Sequence, residues 1–278
     1  GLILMISCKK SDIALPKSEA NIDSIASKYY EGYLKMYPLE ATMQGDSRYN
    51  DLLSNNISSE FISKEIEFYT ETQKKLKSIE YDDLSDEQKT VYDVLDYTLK
   101  DKIERYAYHP ELLPFSQFEG LPLDFPLLGS AEGNQPFKTT QDYDNWLKRI
   151  DAFVIWMTTA EKNFREGMKQ NVVLPKKLVV KMIPQMHSEE IITEDFDKNI
   201  FYGPIKKMPK NFSAKDKEKY KILYQEAISS KIIPAYQKMG DFLEKEYLPK
   251  ARNTDGINAI PNGKNIYEYY AKSWTTTN

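Results

Sequence analysis

The sequence contains one cysteine and two histidines among its 278 residues, and this scarcity excludes several kinds of site. A single cysteine, Cys8, cannot form an intramolecular disulfide, so stability must come from the core. His109 and His187 lie far apart in the chain, whereas a His-Glu-x-x-His zinc helix needs two histidines one helical turn apart. The sequence also lacks the glycine-rich fingerprints of nucleotide-binding loops. Its apolar runs are shorter than the ~20 residues that span a bilayer.

The charge balance argues against nucleic acid as a partner. The formal net charge is −4, and 29% of the residues are charged. Nucleic-acid binding draws much of its affinity from the neutralisation of phosphates by a concentrated basic surface. The pair Lys206-Lys207 and the run 215–221 are interpreted as solvated faces, because Asp216 and Glu218 interrupt the run. We therefore expect no nucleic-acid partner.

A short apolar run over residues 2–7 ends in Ser7 and is followed by Cys8. This pattern resembles the end of a bacterial lipoprotein signal peptide, in which the cysteine becomes the lipidated first residue of the mature protein. The alternative is an ordinary buried thiol in an N-terminal strand. The lipoprotein interpretation predicts a signal remnant and tether over residues 1–18 and membrane attachment through the lipid. It places the protein in the bacterial cell envelope, on the periplasmic or surface side.

The rest of the chain has helical periodicity and predicts an all-α fold, an elongated multi-helix array with long Pro- and Gly-rich loops. The clearest helix begins near Thr139, where Asp142 completes a cap, and large apolar residues follow at helical spacing as far as Met168. Four of them are expected to face the core: Trp146, Ile150, Phe153 and Met157. Pro234 is expected to kink a later helix.

Three stretches are predicted to be irregular. Residues 39–53 are rich in turn formers, and residues 110–137 contain five prolines and three glycines. Most apolar residues of 110–137 are expected to pack in the core, while part of this long segment lines a cleft. The turn-rich stretch 256–263 is expected to hold at most one short β element.

No complete catalytic set can be assembled from these residues. His187 has Glu190 at i+3 but no third ligand that the sequence identifies, and His109 precedes Pro110 at a predicted helix end. No histidine lies near a suitable serine, so a nucleophilic triad has no support. The sequence therefore assigns no catalytic residue and no metal ligand to this chain.

Three groups of segments resemble a large bacterial family, the domain of unknown function 885 (DUF885). The first group is Pro38–Leu53. The second consists of Phe137–Arg149, Phe164–Gly167 and Leu174-Pro-Lys. The third consists of Ile233–Gln237, Glu246–Arg252, Pro261–Gly263, Tyr267 and Thr275–Thr277. Together they extend over nearly all of the chain after the tether, in the order that the family has them.

The resemblance implies a helical protein about twice as long as this chain. Members of the family are often secreted or lipid-anchored, and their second half carries a His-Glu-x-x-x-Gly-His-like segment with a later glutamate, similar to the zinc site of helical peptidases. No such segment occurs here, so no zinc ligand carries over, and zinc is expected only in the C-terminal half that this chain lacks. Gly263 and Tyr267 are the positions that the resemblance suggests as substrate-cleft residues. Their alternatives are a turn glycine and a packed tyrosine.

Two functions follow as expectations. In the first, residues 19–278 form the N-terminal helical half of a larger peptidase-like domain, a scaffold and cleft wall that is inactive alone. Its partners would be a peptide substrate in the full-length protein, the membrane through the N-terminal lipid, and either the C-terminal half or a second copy of the chain. In the second, the chain is a noncatalytic binding or scaffold lipoprotein.

Overall fold

The computed structural model describes residues 21–276, and its regular structure is helical. The α-helices, in chain order, are α1 (Ile22–Met36), α2 (Pro38–Met43), α3 (Ser59–Leu76), α4 (Asp86–Arg105), α5 (Leu121–Gly129), α6 (Thr140–Lys169), α7 (Lys176–Met186), α8 (Glu189–Ile192), α9 (Gly203–Lys206), α10 (Ala214–Ala227), α11 (Ile233–Phe242) and α12 (Gly263–Thr275). The described residues contain no β-strand, only an isolated bridge between Pro175 and Arg252. The all-α prediction is confirmed. Cys8 and the predicted tether lie outside the described residues.

The first two helices are separated by a single residue. Helix α1 begins after Asn21, whose side chain accepts a hydrogen bond of 2.7 Å from the backbone N–H of Ser24. Pro38 then opens α2, because proline fits the first turn of a helix, where its missing N–H breaks no bond. The prediction of an irregular connector over residues 39–53 is therefore wrong at its start, where residues as far as Met43 are helical.

The long helix α6 forms as its sequence predicts. Thr139 and Asp142 make a capping box: the Asp142 N–H donates to Thr139 Oγ1 at 3.2 Å, and the Thr139 N–H donates to Asp142 Oδ2 at 2.8 Å. The four residues expected in the core are all buried: Trp146, Ile150, Phe153 and Met157. The Phe153 ring stacks on Phe125 of α5, with ring centroids 4.0 Å apart. This face of α6 therefore forms the centre of the main core.

Within residues 21–276, buried apolar side chains form two clusters. The main cluster joins α5, α6, α7, α10 and α11. The smaller cluster joins α1, α3 and α4. One charged side chain, Arg149, is fully buried on α6, and its guanidinium donates to backbone oxygens of Leu52 and Tyr49 at 2.9 and 3.2 Å. Arg149 thereby fixes the segment after α2 against the main core.

The structure corrects one predicted stretch and adds detail to two others. Residues 110–137 are not irregular throughout, since they contain α5, which packs its apolar side against α6. Within the turn-rich stretch 256–263, residues Ile257–Ala259 form a 3₁₀ turn. Directly before Pro234, where the sequence predicts a kink, the helix widens into a π-helical turn, Ile228–Ile232. No described helix is both long and apolar enough to cross a membrane.

Candidate functional site

A cleft of about 630 Å³ lies beside the segment that joins α4 to α5. Three parts of the chain line it: residues 105–124, the turn at Asn56 and Ile57, and the region 257–270 that leads into α12. Trp156 of α6 also lines the cleft. A pocket of this size falls in the range of small-molecule and peptide-side-chain sites. The cleft is therefore the candidate functional site.

Backbone geometry fixes the wall of this cleft. His109 has a φ of 49°, a left-handed conformation that is uncommon for a non-glycine residue. It separates two 3₁₀ turns, Tyr106–Tyr108 and Pro110–Leu112. Gly120 has a φ of 128°, and a Cβ there would overlap the side chain of Phe115. Strained backbone of this kind persists only where the surrounding packing holds it, and it concentrates at functional sites.

The polar groups of the cleft include the guanidinium of Arg105 and three carboxyl groups, those of Glu111, Glu119 and Asp124. His109 Nδ1 lies 3.0 Å from Glu111 Oε1. The other carboxylate oxygen, Glu111 Oε2, is buried and has no hydrogen-bond partner among the described residues. Burial and the nearby charge of Glu119 raise the pKa of Asp124, which lines the same cleft. Three carboxyl groups line the cleft, those of Glu111, Glu119 and Asp124, and such groups suit a ligand that carries N–H groups or a positive charge.

A buried carboxylate holds another part of the wall in place. Tyr37 and Tyr106 line the cleft, and their hydroxyls donate to the two oxygens of Glu65. Tyr69 donates to the same carboxylate, and Glu65 is only 1% exposed. Burial and the hydrogen bond to Glu65 raise the pKa of Tyr106, so this phenol stays protonated as a donor. The tyrosines are thus fixed in orientation by one shared acceptor.

Comparison with known proteins identifies the family. The family described as "Bacterial protein of unknown function (DUF885)" matches residues 38–278. The chain belongs to the DUF885 family. No curated protein matches this sequence.

A solved structure shows the same fold as this DUF885 chain. It is titled as the crystal structure of the putative lipoprotein from Colwellia psychrerythraea, with a TM-score of 0.75 and 18% sequence identity. The alignment covers 92% of this chain and 46% of that one. The DUF885 chain therefore spans about half the length of this structural relative.

The two cleft residues suggested by the family resemblance do not line this cleft. Gly263 is buried at the start of α12, where a Cβ would overlap the carbonyl oxygen of Ile257. Tyr267 is exposed and lines a separate cavity of about 600 Å³, together with Lys272. From the same region, Ile260 and Tyr270 line the main cleft instead.

Sequence reasoning did not single out the polar residues of the cleft. It interpreted His109 as a helix-end residue, and His109 does end a 3₁₀ turn, but it also lines the cleft. Glu111 and Asp124 were not distinguished from many other acidic residues. The available signal was the long Pro- and Gly-rich segment 110–137, part of which was expected to line a cleft.

The cleft of the DUF885 chain does not fit the zinc site that the resemblance implies. His109 has Glu111 as its one close carboxylate partner, and zinc needs at least three protein ligands. Among the described residues, one group of three ligating side chains lies close together: His187, Asp241 and Glu244. None of these three lines the cleft. No chemical step through a zinc ion can therefore be derived for the cleft.

Proposed function

We propose that this chain is the N-terminal, cleft-wall part of an envelope lipoprotein that binds peptides. In the complete protein the family resemblance implies peptide hydrolysis, with zinc held by residues outside this chain. Membership of the DUF885 family and the fold shared with a protein titled a putative lipoprotein support the lipoprotein assignment. Lipidation of Cys8 would supply the membrane attachment.

One observation carries the peptide-binding proposal: a cleft of about 630 Å³ is lined by the carboxyl groups of Glu111, Glu119 and Asp124. Ionised carboxyl groups accept hydrogen bonds from N–H groups and attract positive charge. A peptide offers such donors in its backbone N–H groups and its amino terminus. Trp156 and Ile260 supply apolar surface in the same cleft for a side chain.

Binding of a labelled peptide tests this proposal. We would titrate the chain into a fluorescein-labelled decapeptide of alternating alanine and leucine with a free amino terminus and follow anisotropy. Glu111→Gln keeps the shape but removes the charge, and it should weaken binding about tenfold, as expected for loss of a charge-assisted hydrogen bond. Glu268→Gln is the matched control, since Glu268 lines the other cavity. Equal affinities of both variants and the parent would contradict the proposal.

The alternative is a noncatalytic binding or scaffold lipoprotein. Peptide hydrolysis by the full-length protein decides between the two. Hydrolysis that stops on chelation and returns with zinc supports the peptidase, whereas peptide binding without cleavage supports the scaffold.

A further inference from the structure

Three side chains of types that bind metal ions, from two separate parts of the chain, meet outside the cleft. His187 directly follows α7, Asp241 lies near the end of α11, and Glu244 lies in the π-helical turn Leu243–Tyr247 that continues α11. One ligating atom from each residue lies within 4.8 Å of the other two. We propose that these three residues form a binding site for a first-row divalent transition ion such as Zn²⁺ or Co²⁺.

The imidazole of His187 packs against Gly240 in an orientation that suits a metal ligand. A Cβ at Gly240 would lie 2.7 Å from Cε1 and 2.9 Å from Cδ2 of His187, and closer still to Nε2. Because the Cβ position is nearly equidistant from these ring atoms, the face of the imidazole, and not its edge, lies against the helix backbone at Gly240. The in-plane lone pair of Nε2 therefore points along the surface and not into Gly240. Any larger residue at position 240 would displace the ring.

The spacing of the ligands fits the proposed ion. His187 Nε2 and Asp241 Oδ1 are 3.8 Å apart. Two ligands bound to zinc at about 2.0–2.2 Å with a tetrahedral angle are separated by about 3.4 Å, so a small rotation closes the site. Asp241 and Glu244 are exposed and free of core packing, which allows that rotation.

The donor set also selects the class of ion. One imidazole nitrogen with two carboxylates suits Zn²⁺ or Co²⁺, and water can complete the coordination at the surface. Ca²⁺ prefers six to eight oxygen ligands, and this site offers an imidazole in place of a carbonyl or carboxylate. The site thus differs in place and in ligands from the zinc site that the family resemblance implies.

Lys245 competes with the ion for one ligand. Its Nζ lies 2.8 Å from Asp241 Oδ2. When the ion arrives, the ammonium group must move away from it, because two positive charges repel each other. Removal of Lys245 should therefore tighten metal binding.

The bound ion would link the end of α7 to the helix formed by α11 and its π-helical continuation. The site lies outside the peptide cleft, so it is independent of the proposed peptide binding. Its effect on the fold is stabilisation, because an ion that binds only the folded state raises the free energy of unfolding. Sequence alone does not indicate this site, because Asp241 and Glu244 are remote from His187 along the chain.

Cobalt titration of the metal-free chain tests the proposal. The experiment uses the Cys8→Ser background, which removes the one thiol that could bind the ion elsewhere. We expect one Co²⁺ per chain by calorimetry, with visible absorption bands of a bound ion. His187→Gln should weaken binding at least tenfold. His109→Gln is the matched control, since it removes the other histidine, and it should leave the affinity unchanged.

One further variant and a second measurement sharpen the test. Lys245→Met should tighten binding about twofold or more, because the competing ion pair is gone. Zn²⁺ should raise the melting temperature of the parent but not of His187→Gln. The proposal is overturned if the parent binds no Co²⁺, if His187→Gln binds as the parent does, or if His109→Gln loses binding equally. Peptide binding in His187→Gln should match the parent, which keeps this test separate from that of the cleft.

Discussion

Replacement of the buried Arg149 should destabilise the chain more than replacement of a well-paired arginine on the same helix. Arg149 is fully buried, and its guanidinium donates to neutral oxygens rather than to a carboxylate. These include Leu52 O at 2.9 Å, Thr42 Oγ1 at 2.7 Å and the side-chain oxygen of Gln135. Burial lowers the pKa of Arg149 to about 10, which still leaves it charged at neutral pH.

The expected cost follows from the groups that Arg149 would leave behind. Arg149→Met keeps the volume and removes the charge, but it strands several buried oxygens, each at about 1–3 kcal/mol. The variant also removes the cost of burying the guanidinium charge, and this gain offsets part of the loss. We expect a net loss of about 3–5 kcal/mol, because several buried oxygens lose their donor at once. A domain has only about 5–15 kcal/mol of stability in total, so the variant should be close to unfolding.

Arg165→Met is the matched control. Arg165 also lies on α6 and forms ion pairs with Glu161 and Glu246, but its side chain is 40% exposed. Exposed ion pairs contribute about 0–1 kcal/mol, so this variant should lose little stability. Equilibrium unfolding in urea, followed by tryptophan fluorescence, measures both variants. The reasoning is refuted if Arg149→Met costs less than about 1 kcal/mol or no more than Arg165→Met.

Three other predictions concern the core, the tyrosines and the surface. Phe153→Ala should cost about 3–5 kcal/mol of unfolding free energy, from lost burial and the cavity left against α5, and a loss below about 1 kcal/mol would contradict the assigned core. Burial raises the pKa of Tyr29 to about 12 and raises that of Tyr69 further. Because the folded state favours the neutral phenols, these tyrosines should contribute fully to the free energy of unfolding below about pH 10. Their contribution should fall as the pH rises toward 12, and equal free energies of unfolding at pH 8 and pH 11 would contradict this prediction. Phe118 and Trp274 are 87% and 84% exposed, so the isolated chain should self-associate, and their replacement by serine should reduce this; a monodisperse parent in sedimentation velocity would disprove the idea.

Local sequence determined much of the helical framework. The capping box at Thr139 and Asp142 and the apolar spacing from Trp146 to Met157 located α6 and its buried face. These signals depend on hydrogen bonds and side-chain contacts between residues three or four positions apart, so they can be recognised without knowledge of the tertiary structure. The same reasoning failed over 110–137, where α5 contains two prolines and takes its helical form from packing against α6.

Tertiary structure alone decided which distant residues meet. Nothing local marks Arg149 as buried, since most of its oxygen partners lie in α2 and the segment after it, roughly a hundred positions earlier. His187 had no third ligand in sequence, because Asp241 and Glu244 reach it only through the packing of α7 against α11. Likewise, the cleft gathers His109, Trp156 and Ile260 from three separate elements. The physical reason is that periodicity and capping act within one element, whereas a site depends on how the elements pack.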